Sequence, residues 1–186
     1  MIVYQLTRPA AYLLIKDRAK WKIDWLLPIS VALPMTVIYF CLPAVQPLLG
    51  DAGIIKQVQG FLKILPGFYL AALAAVATFN KNDLDRHLPA PTPQIDIMVN
   101  GHEVPINLTR RRMLSYLFGY LTFLSLAIYL MTVSVVIVAP SANAIFGKSL
   151  FIAKGLFVGC LSIFFAQMII VTIFGLYQLC DRIHQP

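Results

Sequence analysis

From Trp25 to Gly50 the chain reads WLLPISVALPMTVIYFCLPAVQPLLG, without one Asp, Glu, Lys or Arg. Two more uncharged runs extend from Met113 to Gly147 and from Gly155 to Cys180, and a shorter one from Ile64 to Asn80. A helix of about 20 apolar residues crosses the roughly 30 Å hydrocarbon core of a bilayer. Lipid offers backbone N–H and C=O groups no hydrogen-bond partner, so runs of this kind must be α-helical. The expected fold class is an all-α membrane protein with four transmembrane helices.

Composition points the same way. Of the 186 residues, 59% are hydrophobic and 12% charged, with a mean hydropathy of +0.77; soluble domains carry about 25% charged residues. Four spans use nearly the whole length, which leaves no room for a separate soluble catalytic domain. A net charge of +7 would indicate nucleic acid in a soluble protein. Here the basic residues flank the apolar runs, where they orient helices and touch anionic lipid, so no direct nucleic-acid binding is expected. Cys41, Cys160 and Cys180 lie in or beside the runs, which suits packing better than a disulfide framework. From Met1 to Lys22 the order is apolar then basic, the reverse of a cleavable signal.

The chain divides into an N-terminal interfacial segment (1–24), two spans (25–79), a loop (80–112), two more spans (113–180) and a tail (181–186). From about Pro9 to Lys22 an amphipathic helix is expected. Pro9 suits its first turn, and Ala10 to Ile15 can lie in the lipid interface while Lys16, Arg18, Lys20 and Lys22 reach for phosphates. The alternative is that this segment extends the first span as a helix. The first span covers about Trp25–Leu42, with Pro28 and Pro34 as kink positions. The second covers about Val58–Phe79, with a bend at Pro66-Gly67. The third and fourth lie inside Met113–Val138 and Lys154–Leu179.

Lys and Arg concentrate in the N-terminal segment, in the central loop and at Arg182. Only Lys56, Lys63, Lys148 and Lys154 flank the other side. The positive-inside rule then places both termini and the central loop in the cytoplasm, of a bacterial inner membrane.

Within the loop, Pro89, Pro91 and Pro93 stiffen a connector to two alternating stretches joined by Asn100-Gly101. Asn-Gly is a strong hairpin signal because both turn positions need positive φ. The implied register sets Ile97 opposite Val104, Ile95 opposite Ile106, and Asp96 opposite Pro105. One face of this small β-hairpin is apolar, and a two-stranded hairpin is marginal alone in water. Ile95, Ile97, Val99, Val104 and Ile106, with the basic rim of Arg110, Arg111 and Arg112, are therefore candidate partner-binding residues. The apolar face needs cover from the spans, a sister subunit or a soluble cytoplasmic protein. The arginines read first as a topology anchor beside the membrane.

Chemistry is sparse. No nucleophile motif, phosphate loop or metal signature is present, so no catalytic residue, cofactor or metal is expected, and the chain does not read as an enzyme. Asp83, Asp85 and His87 are close but lack a further ligand. The spans carry no ionisable group at mid-bilayer, where proton-coupled transporters place them. Gln167, Thr132 and Ser125 either hydrogen-bond between helices or line a pore. Gly155 and Gly159, and Gly67, Ala71 and Ala75, mark close helix packing, within one subunit or between subunits.

A tetraspan chain with short cytoplasmic termini and a hairpin from Gln94 to Leu108 between spans two and three resembles the membrane subunits encoded by antiviral defence systems. Among these it is similar to the four-span membrane subunit of the Kiwa antiphage system. The resemblance is one of architecture and carries over no functional residue. It implies a homo-oligomer in the inner membrane that holds a cytoplasmic effector and senses disturbance during phage infection. The expected function is thus a non-enzymatic sensor or scaffold with a soluble partner; the alternative is a homo-oligomeric pore or membrane-permeabilising effector.

Overall fold

A computed structural model describes residues 7–17, 20–42, 47–79, 82–88, 92–99 and 102–180. The Asn100-Gly101 turn, Arg18, Lys81, Pro89, Pro91 and the tail lie outside them. In chain order come a 3₁₀ turn (Arg8–Leu14) and a π-helical turn (Lys22–Leu26) that runs into α1 (Leu27–Cys41). Helices α2 (Ile54–Leu62) and α3 (Leu65–Thr78) follow, then the short α4 (Asn82–Asp85). Strands β1 (Gln94–Val99) and β2 (His102–Asn107) precede α5 (Arg110–Val138), the short α6 (Ala142–Phe146) and α7 (Leu150–Cys180).

Four helical segments among the described residues are long and apolar enough to cross a membrane: Lys22–Cys41, Ile54–Thr78, Arg110–Ser141 and Ala144–Cys180. The shortest has 20 residues, about 30 Å of helix. Large apolar side chains such as Leu33, Met35 and Val37 of α1 and Phe151, Ile152 and Leu156 of α7 point outward. Apolar residues on every side of a helix mark a lipid environment.

Helix α3 packs on α5, α5 on α7, and α7 on α1. Thr109 starts α5 as its N-cap, its hydroxyl accepting from the Arg112 amide at 3.3 Å. Leu114, Leu117, Phe118, Leu121, Leu124 and Ile128 then recur at helical spacing and form the buried centre of the bundle. The second span breaks between α2 and α3 because Pro66 has no N–H for the carbonyl four residues back, that of Leu62. The bend expected at Pro66-Gly67 thus falls one turn earlier, at residues 63–64.

The hairpin register matches the sequence reading: Ile95 pairs with Ile106, Asp96 with Pro105, and Ile97 with Val104. The N-terminal segment differs from it. An amphipathic helix through Lys22 does not form. The 3₁₀ turn ends at Leu14, and Lys16 is extended, its amide donating to the Gln94 carbonyl at 2.9 Å while the Gln94 amide returns a bond at 3.4 Å. Backbone pairing with β1 competes with helix here, and it wins because it also buries Ala11, Tyr12 and Ile15.

Candidate functional site

The sequence reading began the first span at Trp25 and found no ionisable group at depth in any span. Helix begins earlier, and Asp24 lies inside it, buried. Pro28 explains what surrounds it. In a regular α-helix the residue there would donate its N–H to the Asp24 carbonyl; proline cannot. Gln167 supplies the missing donor from the middle of α7, its Nε2 lying 2.9 Å from the Asp24 carbonyl oxygen.

The Asp24 carboxylate accepts a hydrogen bond from the Tyr12 hydroxyl at 3.1 Å and pairs with the ammonium of Lys20, one helical turn away. Lys20 Nζ also lies 3.8 Å from the centre of the Tyr12 ring, a cation–π contact. The Tyr12 ring stacks on Tyr120 of α5, centroids 5.2 Å apart. Both charged side chains are about 95% shielded, and charges so buried persist only when paired. Lys20 therefore does not reach toward phosphates as the sequence suggested. Burial draws its ammonium below the usual lysine range, partly offset by Asp24. Burial and then Asp24 push the Tyr12 phenol up, so it stays protonated and donates.

This buried node is joined to the hairpin. Lys16 pairs with Asp96 of β1 at 2.7 Å. Arg8 donates to the Asp96 carbonyl at 3.3 Å and to the Tyr116 hydroxyl of α5 at 2.7 Å. The N-terminal segment thus runs along the edge of β1 and ties it to α5. On the apolar face Ile95 is fully buried, in one cluster with Leu84, Leu88 and Leu108. Ile97 and Ile106 are half-buried, and Val104 is 41% exposed; the side chain of Val99 is outside the described set. Among the candidate partner-binding residues, Val104 and Arg112 are exposed, and Ile97 and Ile106 keep part of their surface open.

Arg111 is engaged within the chain. Its guanidinium grips both Asp85 oxygens, at 2.7 and 3.0 Å, and donates to the Val76 and Ala77 carbonyls at the end of α3. A fork on a carboxylate and a cation on a helix C-terminus are both favourable. The Arg111 hydrogen bonds hold the Asp85 carboxyl below the usual carboxylate range. Arg110 donates its amide to the Arg86 carbonyl. Asp85 is committed to Arg111, and among the described residues no group of three His, Cys, Asp or Glu side chains is placed to hold a metal.

Gln167, Thr132 and Ser125 are all buried within one subunit. Gln167 serves Asp24, Thr132 accepts from Gln59 of α2 at 3.3 Å, and Ser125 donates to the Thr122 carbonyl. In the single subunit Gln167 and Thr132 hydrogen-bond between helices, and Ser125 bonds within α5. Of the small residues, Gly155 meets Phe40 of α1, whereas Gly67 and Ala71 face outward and Ala75 is half-buried. The closest approach between helices at a glycine is at Gly175, which sequence reading passed over. A Cβ there would come within 2.8 Å of Leu117 Cδ2. The signal was weak, because Gly175 belongs to no repeating small-residue pattern.

The four apolar helices mark a candidate multi-pass membrane protein. No family model, curated protein or solved structure matches the chain.

Proposed function

We propose that this chain is a non-enzymatic sensor and scaffold subunit of a bacterial inner membrane, which oligomerises through its spans and docks a soluble cytoplasmic protein on its hairpin. The reading extends to antiphage defence, through the architectural resemblance to the Kiwa membrane subunit. One observation carries it. The hairpin is joined through Asp96, Lys16 and Arg8 to the N-terminal segment, and that segment is rooted through Tyr12, Lys20 and Asp24 in the first and fourth spans. A shift between those spans has a continuous route of contacts to the hairpin. The outward Gly67 and Ala71 of α3 offer a place for a neighbouring subunit's helix to approach.

The pore alternative draws no support from Gln167, Thr132 and Ser125, which bond within one subunit. The scaffold reading is tested with the double variant Ile97→Asp and Val104→Asp. It should stay in the membrane as the same oligomer and lose its co-purifying soluble partner. Undiminished co-purification would reject docking on the hairpin, and ion conductance by the reconstituted wild type would favour the pore.

A further inference from the structure

At the end of the bundle opposite Arg110, Arg111 and Arg112, α5, α7 and the turns beside them line a half-open cavity of about 410 Å³. Its walls are apolar, formed chiefly by Leu49, Val135, Val138, Phe146, Leu150 and Phe157. Two polar residues reach it. The Ser134 hydroxyl is committed, donating to the Leu130 carbonyl at 2.8 Å. Lys154 is the single charged residue of the lining; it is exposed, and its ammonium has no partner among the described residues.

We propose that this cavity holds an acyl chain of an anionic membrane lipid, with the headgroup phosphate on Lys154. An apolar, half-open cavity with one cation matches an amphiphile that has one negative head and a hydrocarbon tail. Its volume is within the range of small-ligand sites. Beside it on α7, Phe151, Ile152 and Leu156 are apolar and exposed, as a lipid-facing surface is. A free phosphate would leave the apolar walls unfilled. An apolar helix of a second copy would leave Lys154 without a counter-charge.

The experiment is native mass spectrometry of the full chain in detergent, offered phosphatidylglycerol or phosphatidylcholine with the same acyl chains. Phosphatidylglycerol should be retained about fivefold better, the worth of one lysine at an anionic surface. Lys154→Gln should abolish that preference, and Lys154→Arg should keep it. Ala153→Phe, which fills the cavity, should lose both lipids while circular dichroism reports unchanged helix content. If that variant misfolds, Ala142→Leu takes its place. Equal retention of the two lipids by wild type, or a preference that survives Lys154→Gln, overturns the proposal. So does lipid held by a folded, filled variant. Displacement of phosphatidylglycerol by inorganic phosphate would assign a free-anion site and overturn it. A dimer lost on filling, with no lipid bound before, would assign the cavity to a second copy and overturn it too.

Discussion

Asp24 shows how much one residue can depend on a neighbour that sequence order hides. Its charge survives burial through Lys20 and Tyr12, and its carbonyl through Gln167. Removing one member of a buried ion pair costs about 3–5 kcal/mol, whereas replacing both by apolar residues is close to neutral. Lys20→Ala should therefore lower thermal stability in detergent strongly, and Lys20→Met with Asp24→Leu should recover most of the loss. A double variant as unstable as the single one would contradict the pairing. The carbonyl gives a second test. Gln167→Leu should cost about 1–2 kcal/mol, the order expected for an orphaned buried acceptor. In a Pro28→Ala background the restored backbone N–H should make the same change nearly free. Equal costs in both backgrounds would show that Pro28 is not the reason Gln167 is needed. Lys20 and Asp24 stand at i, i+4 spacing in plain view. What sequence lacks is Tyr12 folding back over them, a contact that depends on the hairpin.

Among the elements, the hairpin was the most readable and the N-terminal segment the least. Alternation and the Asn-Gly signal give the register that sets Asp96 opposite Pro105, since both are local properties of fifteen residues. The segment before it reads as an amphipathic helix by the same local logic. Its conformation is set by a strand nearly eighty residues later, which Lys16 joins at Gln94. The arginine triplet likewise reads as one basic rim, yet its members separate: Arg111 clasps Asp85 and caps α3, while Arg112 stays outside. The clasp predicts a pH dependence. Arg111 depresses the Asp85 carboxyl, so its contribution is present above the unfolded carboxylate value, about 4. It is lost as pH falls through the lower folded value. The gap in thermal midpoint between wild type and Arg111→Ala should be widest at neutral pH. Below about pH 4 it should shrink to what the Val76 and Ala77 carbonyl bonds leave. A gap that widened on acidification would contradict the assignment.

For the whole molecule, four uncharged runs specify four helices, because lipid leaves the backbone no other way to satisfy itself. Their packing order was not legible. Apolar all round, α1, α3 and α7 carry no stripe that names a neighbour, and the glycine at the tightest contact between helices, Gly175, stands in no pattern. Orientation rests on the asymmetry of Lys and Arg, and the proposed role depends on it, since a partner in the cytoplasm must meet the hairpin there. Single cysteines at the exposed Glu103 and Lys148, in a background where Cys41, Cys160 and Cys180 are replaced by serine, test this with a membrane-impermeant maleimide. The account predicts that the Lys148→Cys protein labels in cells whose inner membrane is intact, and that Glu103→Cys labels only after that membrane is opened. Labelling of Glu103→Cys from outside an intact inner membrane would contradict it.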